Sequence, residues 1–287
     1  MAKSKKDKIK VGTVALIGRP NAGKSTLVNN LVGHKVSITS PKPQTTQFPI
    51  YAVYEDFRGQ IIFVDTPGIF AKTKDLRSKE VNLVAEKILT EEIDAVLYLV
   101  DMTRERGDEE NRVLGALRKL KVPKILIINK IDIKEPDYSA QYRFLEDEFD
   151  VILKVSALRP LNIGSIPDAL FDILPEGEQI VERADLPIPA LNLTSTMHMQ
   201  ELIREKAFLT LRKELPYHIS VVVESIEERN NGSMYVKAHV VTEPRYKKMV
   251  IGTGGEKIKQ IGMMTRKELE ISTGKKFYVE LTVEVEK

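Results

Sequence analysis

The feature that most constrains this chain is an eight-residue glycine loop near its start. Residues 18–25 read Gly-Arg-Pro-Asn-Ala-Gly-Lys-Ser and fit the phosphate-binding pattern G-x-x-x-x-G-K-[ST] at every position. The apolar stretch before the loop, residues 11–17, predicts a buried strand, and the spacing of residues 25–32 predicts a short helix. A strand, a glycine turn and a helix N-terminus offer backbone N–H groups and partial positive charge to a polyphosphate. A glycine turn that binds nothing is the alternative, and the flanking segments argue against it.

This loop predicts a set of nucleotide contacts and one metal ligand. Lys24 would reach the β- and γ-phosphates, and the Ser25 hydroxyl would bind Mg²⁺. The residues predicted to contact nucleotide here are Gly18, Arg19, Pro20, Asn21, Ala22, Gly23, Lys24, Ser25 and Thr26.

Length and composition limit the remaining classes. A chain of 287 residues predicts two domains, and 42% hydrophobic residues are ample for two cores. The chain has no cysteine, which excludes disulfides, thiolate catalysis and zinc fingers. The net charge of +3 is too small to indicate a partner. No apolar run approaches the ~20 residues of a membrane span, no secretory signal precedes the first strand, and residues 1–10 predict a basic tail.

Two further segments are expected to surround the phosphates. Residues 33–49 are polar and rich in Ser, Thr, Pro and Gln, which predicts a loop. Its Thr46 would complete the Mg²⁺ shell, with Thr45 as the alternative. Residues 50–54 and 60–64 predict a hairpin whose second strand ends in Asp65-Thr66-Pro67-Gly68. Asp65 would hold Mg²⁺ through water and the Gly68 N–H would approach the γ-phosphate, with Thr66 and Pro67 in the same nucleotide-binding turn.

The base of the nucleotide is expected to lie against two later segments. A buried strand at residues 124–128 runs into Asn129-Lys130-Ile131-Asp132. The Asp132 carboxylate can accept both N1–H and N2–H₂ of guanine, whereas adenine would leave acceptors unpaired at about 1–3 kcal/mol each. Asn129 and Lys130 would support the base edge and pack on the ring. After a short strand at 151–155, a backbone N–H would contact the guanine oxygen from Ser156, Ala157 or Leu158.

Strand and helix patterns alternate through this half. A further strand is predicted at 95–100, with helices at 81–89, 108–120, 137–149 and 163–174. This alternation predicts an α/β domain over residues 11–176, with a mostly parallel sheet, helices on both faces and right-handed crossovers.

The second half has a different pattern. Pro187 and Pro189 lie in a predicted linker, residues 177–196. We expect an α+β domain over 197–287 with this order of elements: helix 197–214, strands 218–226 and 233–241, segment 246–251, the loop Gly252-Thr253-Gly254-Gly255, helix 256–271 and strand 277–285. An apolar lead-in, Gly-x-x-Gly and a helix are the parts of a KH module, whose loop clamps single-stranded nucleic acid.

Charge concentrates around this second glycine loop. Residues 245–276 hold nine basic residues and three acidic ones. Such a concentration is typical of an RNA-binding surface. The predicted RNA contacts are Gly252, Thr253, Gly254, Gly255, Lys247, Lys248, Lys257 and Lys259. An ordinary loop beside a solvated basic helix face is the alternative.

The motifs G-R-P-N-x-G-K-S, Q-T-T, D-T-P-G, N-K-x-D and S-A occur in the order seen in translation-factor-related GTPases. Together with the second half, including residues 201–206 and 214–217, the chain resembles the Era family over nearly its whole length. The resemblance implies an α/β P-loop GTPase domain followed by a type II KH domain. It also implies hydrolysis of GTP to GDP and phosphate, with Lys24, Thr46, Asp65 and Gly68 as the catalytic residues.

The same resemblance implies partners and a location. The implied partners are the small-subunit (16S) ribosomal RNA near its 3′ end and the 30S subunit during its assembly. The implied location is the cytoplasm, where the protein would be a monomer that associates peripherally with the inner face of the cell membrane. GTP, GDP and Mg²⁺ are the ligands that the GTPase resemblance implies. In related GTPases an Asn at the Asn21 position helps to bind K⁺, so K⁺ is a further expected ligand.

Three positions depart from related patterns. Ile69 follows Gly68 where Ras-like enzymes place a water-orienting Gln, so we expect slow intrinsic hydrolysis. Gln47 follows the two threonines where Era proteins usually have Arg. Many relatives also carry a Trp-containing C-terminal extension, whereas this sequence has no Trp and ends at Lys287.

Two other classes stay open from the residues alone. A P-loop kinase acting on a small molecule is disfavoured by residues 129–132, and it would bind ATP as well as GTP. An RNA-binding assembly protein with a purely structural nucleotide site would bind RNA equally with GTP and GDP.

Overall fold

The computed structural model describes residues 8–33, 50–66, 93–181, 195–212 and 214–286. The chain divides into two compact units, Met1–Asn192 and Leu193–Lys287. Within the described ranges, no helix combines the length and apolar character needed to cross a bilayer.

The first unit is built on one mostly parallel sheet with the order β2-β3-β1-β4-β5-β6. Strand β2 pairs antiparallel with β3, and the short β7 pairs antiparallel with β1. The remaining neighbours are parallel, as the alternating pattern predicts. The strands are β1 Ile9–Ile17, β2 Ile50–Asp56, β3 Gly59–Asp65, β4 Ala95–Asp101, β5 Lys124–Asn129, β6 Val151–Val155 and β7 Glu176–Gly177.

Helices connect the parallel strands. They are α1 Lys24–Val32, α2 Asp108–Leu117 and α3 Ser165–Ile173, each shorter than or close to its predicted span. The helix predicted over 137–149 is a 3₁₀ helix, Ser139–Leu145. The Asp137 carboxylate accepts the Ser139 N–H at its start. The predicted helix at 81–89 and the loop at 34–49 lie outside the described residues.

The core of this unit covers both faces of the sheet. Every residue of β4 is buried, which is typical of a parallel strand inside an α/β domain. On one face, Tyr98 packs with Val113 and Leu117 of α2. The side chains of Leu97 and Leu99, which point to the opposite face, are also completely buried. Both faces of β4 are therefore buried, as expected for a central strand of an α/β sheet.

The end of this unit differs from the predicted boundaries. Ile9 and Lys10, predicted in the tail, belong to β1, and Gly177, predicted in the linker, pairs with Ile9. The buried Gln60 amide accepts the N–H groups of Ile180 and Val181 and donates to the Val181 carbonyl. A buried amide requires such partners, so the residues after β7 remain attached to the sheet.

The second unit is an α+β domain with the predicted order of elements. Its elements are α4 Ser195–Thr210, β8 Ile219–Glu228, β9 Met234–Thr242, α5 Lys247–Ile251, α6 Glu256–Thr273 and β10 Phe277–Val285. The sheet order is β10-β9-β8, with β10 parallel to β9 and β8 antiparallel to it. Ile203 of α4 and Ile261 of α6 are completely buried in a core with Val236 and Val240 of β9.

Candidate nucleotide and RNA sites

The phosphate-binding loop joins β1 to α1 and needs glycine where the chain turns. Gly23 has φ 103°, in the left-handed region. A Cβ atom there would lie 2.2 Å from Asn129 Nδ2. Asn21 also has a positive φ of 63°, and its side chain is exposed. The loop thus leaves no room for a side chain at Gly23 and holds Asn21 in an uncommon conformation for a non-glycine residue.

Lys24 lies inside this loop. Its Nζ donates to the carbonyls of Gly18 at 3.0 Å and Arg19 at 3.3 Å. Burial lowers the pKa of Lys24, and the nearby carboxylates of Asp65 and Glu110 oppose that shift. The loop therefore encloses one buried ammonium group, which a phosphate would compensate better than two carbonyl oxygens do.

The Arg19 side chain contacts the residues after β4 and one carboxylate of α2. Its guanidinium donates to the carbonyls of Glu105 at 3.0 Å and Arg104 at 3.1 Å, and its Nε lies 3.1 Å from Glu110 Oε2. These side-chain contacts leave the main chain of Arg19 as the part available for the predicted nucleotide contact, which stays a prediction.

Asn129 connects two of the predicted segments. Its Nδ2 donates to the Ala22 carbonyl at 2.8 Å, and its Oδ1 accepts the Ala157 N–H at 2.9 Å. Asn30 of α1, which no sequence motif includes, donates to the Ala157 carbonyl at 2.7 Å. The Asn129 side chain thus joins the phosphate-binding loop to the segment after β6, and its predicted contact with the base stays a prediction. No local pattern marks Asn30, because its partner is distant in sequence.

The base-recognition end presents one unsatisfied acceptor. Asp132 Oδ1 is buried and, among the residues that the structure describes, finds no hydrogen-bond partner. Ser156 is buried, while the Leu158 side chain is 69% exposed and available to cover a planar ligand. Lys130 has φ 72°, and its Nζ lies 2.6 Å from Asp101 Oδ2, a contact that the sequence does not reveal. A buried acceptor without a donor fits the N–H edge of guanine.

Parallel pairing brings the end of β3 beside the phosphate-binding loop. Asp65 is opposite Leu16 in the register of β3 with β1, and its side chain is completely buried. The Thr66 hydroxyl donates to the Leu16 carbonyl at 2.6 Å. The other residues predicted around the γ-phosphate, Thr45, Thr46, Gln47, Pro67, Gly68 and Ile69, lie outside the described residues.

The second glycine loop lies between α5 and α6. Gly252, Gly254 and Gly255 have positive φ values of 78°, 59° and 79°. Thr253 in the same loop is exposed, as are Lys247, Lys248 and Lys259. The Lys257 Nζ donates to the Met249 carbonyl at 3.0 Å and so stabilises the end of α5, and its other two N–H donors leave the predicted RNA contact a prediction.

A groove beside this loop adds residues that the sequence analysis missed. It has a volume of about 360 Å³ and lies between α6 and β10. Met263 and Tyr278 are 60% and 53% exposed, which is unusual for large apolar and aromatic side chains. Gly262 leaves open space above the helix. The lining residues are Ile258, Lys259, Gly262, Met263, Arg266, Tyr278, Val279 and Leu281. Those on α6 recur every four residues, which predicts that they share one face of the helix. The spacing does not show whether that face lines a groove or packs in a core.

Comparisons with known proteins agree with this geometry. Residues 13–130 match a family described as "50S ribosome-binding GTPase", and residues 214–287 match the KH domain family. The chain is 38% identical to GTPase Era of Halothermothrix orenii, covering 97% of this chain and 94% of that protein.

Two solved structures are similar over the same length. One is an Era variant from Aquifex aeolicus bound to GDP and aluminium fluoride, with a TM-score of 0.88. The other is Era in complex with MgGDPNP and nucleotides 1506–1542 of 16S ribosomal RNA, with a TM-score of 0.87. Each is 34% identical to this chain and covers 97% of it, and the match spans 94% of each solved chain.

Fold and site together define a P-loop GTPase followed by a KH domain. The chain belongs to the GTPase Era family, and hydrolysis of GTP is its enzymatic activity.

Proposed function

We propose that this GTPase is a nucleotide-controlled switch that binds single-stranded 16S ribosomal RNA near its 3′ end and acts in assembly of the 30S subunit. Hydrolysis belongs to the first unit and RNA binding to the second. The observation that carries the proposal is the open groove between α6 and β10, next to a Gly-x-x-Gly loop, in a chain that also has a GTPase site. A related Era structure contains both MgGDPNP and a fragment of that RNA.

The groove has the chemistry that unstacked bases require. Ile258, Val279 and Leu281 provide an apolar floor, and Tyr278 provides an aromatic face for stacking. Lys259 and Arg266 supply positive charge at the same groove for the phosphate backbone. Duplex RNA keeps its bases paired and stacked and would not present them to this apolar surface, so single-stranded RNA is the better match.

Guanine nucleotide and Mg²⁺ fit the first unit. The buried Asp132 acceptor suits guanine, and the buried Lys24 ammonium suits the β- and γ-phosphates. Asp65 and Ser25 bring a carboxylate and a hydroxyl to the same loop, and these hard oxygen donors are typical of Mg²⁺ sites. Thr46, outside the described residues, is the proposed third ligand. Mg²⁺ would offset negative charge on the phosphate oxygens.

Potassium is a further part of this proposal. Asn21 is an exposed residue of the phosphate-binding loop, and its side-chain amide oxygen is a chemically suitable ligand for a cation near the phosphates. Comparison of GTP turnover in K⁺ and Na⁺ buffers of equal ionic strength tests this role. We expect faster turnover in K⁺, and equal rates would rule it out.

Location and oligomeric state complete the proposal. We expect a cytoplasmic monomer that associates peripherally with the inner face of the membrane, where the basic residues of the N-terminal tail would meet anionic lipid. Flotation with vesicles that contain or lack anionic lipid tests the association. Recovery in the floating fraction with neither vesicle type would contradict it.

The RNA assignment is tested by a pair of variants that differ only in charge. Thr253 is exposed and, unlike its glycine neighbours, does not have a positive φ. Thr253→Asp places a negative charge in the loop, whereas Thr253→Asn has nearly the same shape without the charge. Anisotropy with a labelled single-stranded RNA should show about tenfold or more weaker binding for the Asp variant than for the Asn variant, with GDP affinity unchanged in both. Equal RNA affinity of the two variants would contradict the assignment.

A further inference from the structure

The segment that begins at the last residue of β4, residues 101–105, contacts both nucleotide-binding parts of the first unit. At its start, the buried Asp101 carboxylate accepts the Lys130 ammonium at 2.6 Å through Oδ2. Its Oδ1 accepts the N–H and hydroxyl of Thr103 at 2.9 and 2.7 Å. Asp101 therefore ties the base-recognition segment, whose Asp132 lies two residues beyond Lys130, to the end of β4.

The other end of this segment is bonded to the phosphate-binding loop. Arg104 donates through Nη1 to the Pro20 carbonyl at 3.1 Å. In return, the Arg19 guanidinium donates to the carbonyls of Glu105 at 3.0 Å and Arg104 at 3.1 Å. Three hydrogen bonds thus join two adjacent residues of the loop to two adjacent residues of the segment.

A buried carboxylate fixes the direction of Arg19. Glu110 of α2 lies 3.1 Å from Arg19 Nε, and it accepts the Tyr98 hydroxyl at 2.6 Å and the Tyr142 hydroxyl at 3.3 Å. Arg19, Glu110 and both tyrosines are buried. The fork-shaped guanidinium donates to two carbonyls while its Nε lies near one carboxylate, an arrangement that a lysine ammonium cannot reproduce from a single point.

We propose that residues 101–105 position the phosphate-binding loop and the base-recognition segment relative to each other, with Arg19 and Asp101 as the two positioning residues. Guanine nucleotide contacts both parts simultaneously, so a fixed spacing removes the ordering cost that binding would otherwise include. The inference rests on the guanine-nucleotide site described above. It concerns affinity for the nucleotide and not the chemical step, because neither residue faces the reacting phosphate through its side chain.

The test uses the full chain and separates binding from turnover. Arg19→Lys keeps the charge but loses the fork, and Asp101→Asn keeps the shape but loses the charge that holds Lys130. For each variant we expect KM for GTP and Kd for GDP to rise together by about tenfold, since a hydrogen bond to a charged group contributes at least that factor. The value of kcat at saturating GTP should stay within about twofold of the parent.

A matched control shows whether lost stability alone explains the result. Arg204 and Glu201 form a buried Arg–Glu pair in the second unit, with contacts of 2.9 and 2.6 Å. Arg204→Lys should lower the melting temperature without changing KM for GTP or Kd for GDP.

Three outcomes would overturn the proposal. They are an unchanged KM and Kd in Arg19→Lys and Asp101→Asn, a fall in kcat with KM unchanged, or an equal rise of KM in Arg204→Lys. If Arg19→Lys fails to fold, Asp101→Asn decides between the outcomes. Failure of the guanine site itself is distinguishable, because the parent protein would then bind GDP no better than ADP.

Discussion

Replacement of Gly23 by Ala should be far more damaging than the loss of a glycine usually is. The added Cβ would lie 2.2 Å from Asn129 Nδ2, so the Asn129 side chain must leave its place. It would then lose its hydrogen bonds to Ala22 O and from Ala157 N, at 2.8 and 2.9 Å. Each lost buried bond costs about 1–1.5 kcal/mol, and the left-handed backbone at φ 103° adds about 1–2 kcal/mol for a residue with a Cβ.

These contributions sum to about 3–5 kcal/mol of lost stability for Gly23→Ala. Gly33→Ala is the matched control, because Gly33 has φ 72° but no atom within 4 Å of its added Cβ. We expect that control to lose only about 1–2 kcal/mol, which is the backbone contribution alone. Urea unfolding of the nucleotide-free protein, followed by circular dichroism, gives both free-energy differences, and GDP titration should show that only Gly23→Ala abolishes binding.

A double-mutant cycle tests the stated cause. In an Asn129→Ala background the contact that the new Cβ would make no longer exists, so Gly23→Ala should cost no more than Gly33→Ala. The reasoning is refuted if Gly23→Ala costs the same with and without Asn129, or if it is no more destabilising than the Gly33 control.

Three further predictions concern single side chains. Lys24→Met should abolish GTP binding yet leave the nucleotide-free protein at least as stable in urea unfolding. Because burial lowers the pKa of Lys24 from its ordinary 10.5, the folded parent binds fewer protons than the unfolded chain at pH values between the folded-state pKa and 10.5. The free energy of unfolding of the parent should therefore rise with pH in that interval, and it should rise less in Lys24→Met. Asp132→Asn should reduce GTP affinity by about tenfold or more while ATP affinity stays low, since the amide opposes the guanine N–H donors; competition against labelled GDP measures both, and unchanged GTP affinity would contradict the role. Gly262→Ala should raise stability by about 0.5–1 kcal/mol because Gly262 is a helical glycine with open space above it, whereas Gly262→Glu should prevent RNA binding; equal RNA affinity of these two variants would exclude the groove as the RNA site.

The parts of the fold that short patterns determine could be predicted from the sequence. The loops at residues 18–25 and 129–132 could be located and their conformation predicted, because the turn and the buried strand before it are both determined by adjacent residues. Strand β10 has the bounds expected from its alternation, residues 277–285. Opposite polarity on successive residues is a local property, so no knowledge of the partner strand is needed.

Features that depend on distant partners could not be predicted in this way. Asn30 is an ordinary polar helix residue until Ala157 is placed beside it, and Asp101 is an ordinary strand end until Lys130 is 2.6 Å away. The sequence alone shows Lys257 only as a positively charged residue near the glycine loop, whereas in the structure its ammonium donates a hydrogen bond to the Met249 carbonyl. Residues 137–149 show helical spacing of apolar side chains. Over one or two turns, the spacing of about 3.0 residues in a 3₁₀ helix cannot be distinguished from the spacing of about 3.6 in an α-helix.

The central claim is that the nucleotide bound to the first unit controls RNA binding by the second. It is tested most directly by measuring the affinity of the full-length protein for a labelled single-stranded RNA from the 3′ end of 16S ribosomal RNA, once with GDPNP and once with GDP. The account predicts clearly tighter binding in one nucleotide state, and loss of the difference when Thr253→Asp blocks the loop. The same RNA affinity with GDPNP and GDP would contradict the account and favour an RNA-binding protein whose nucleotide site has no switching role.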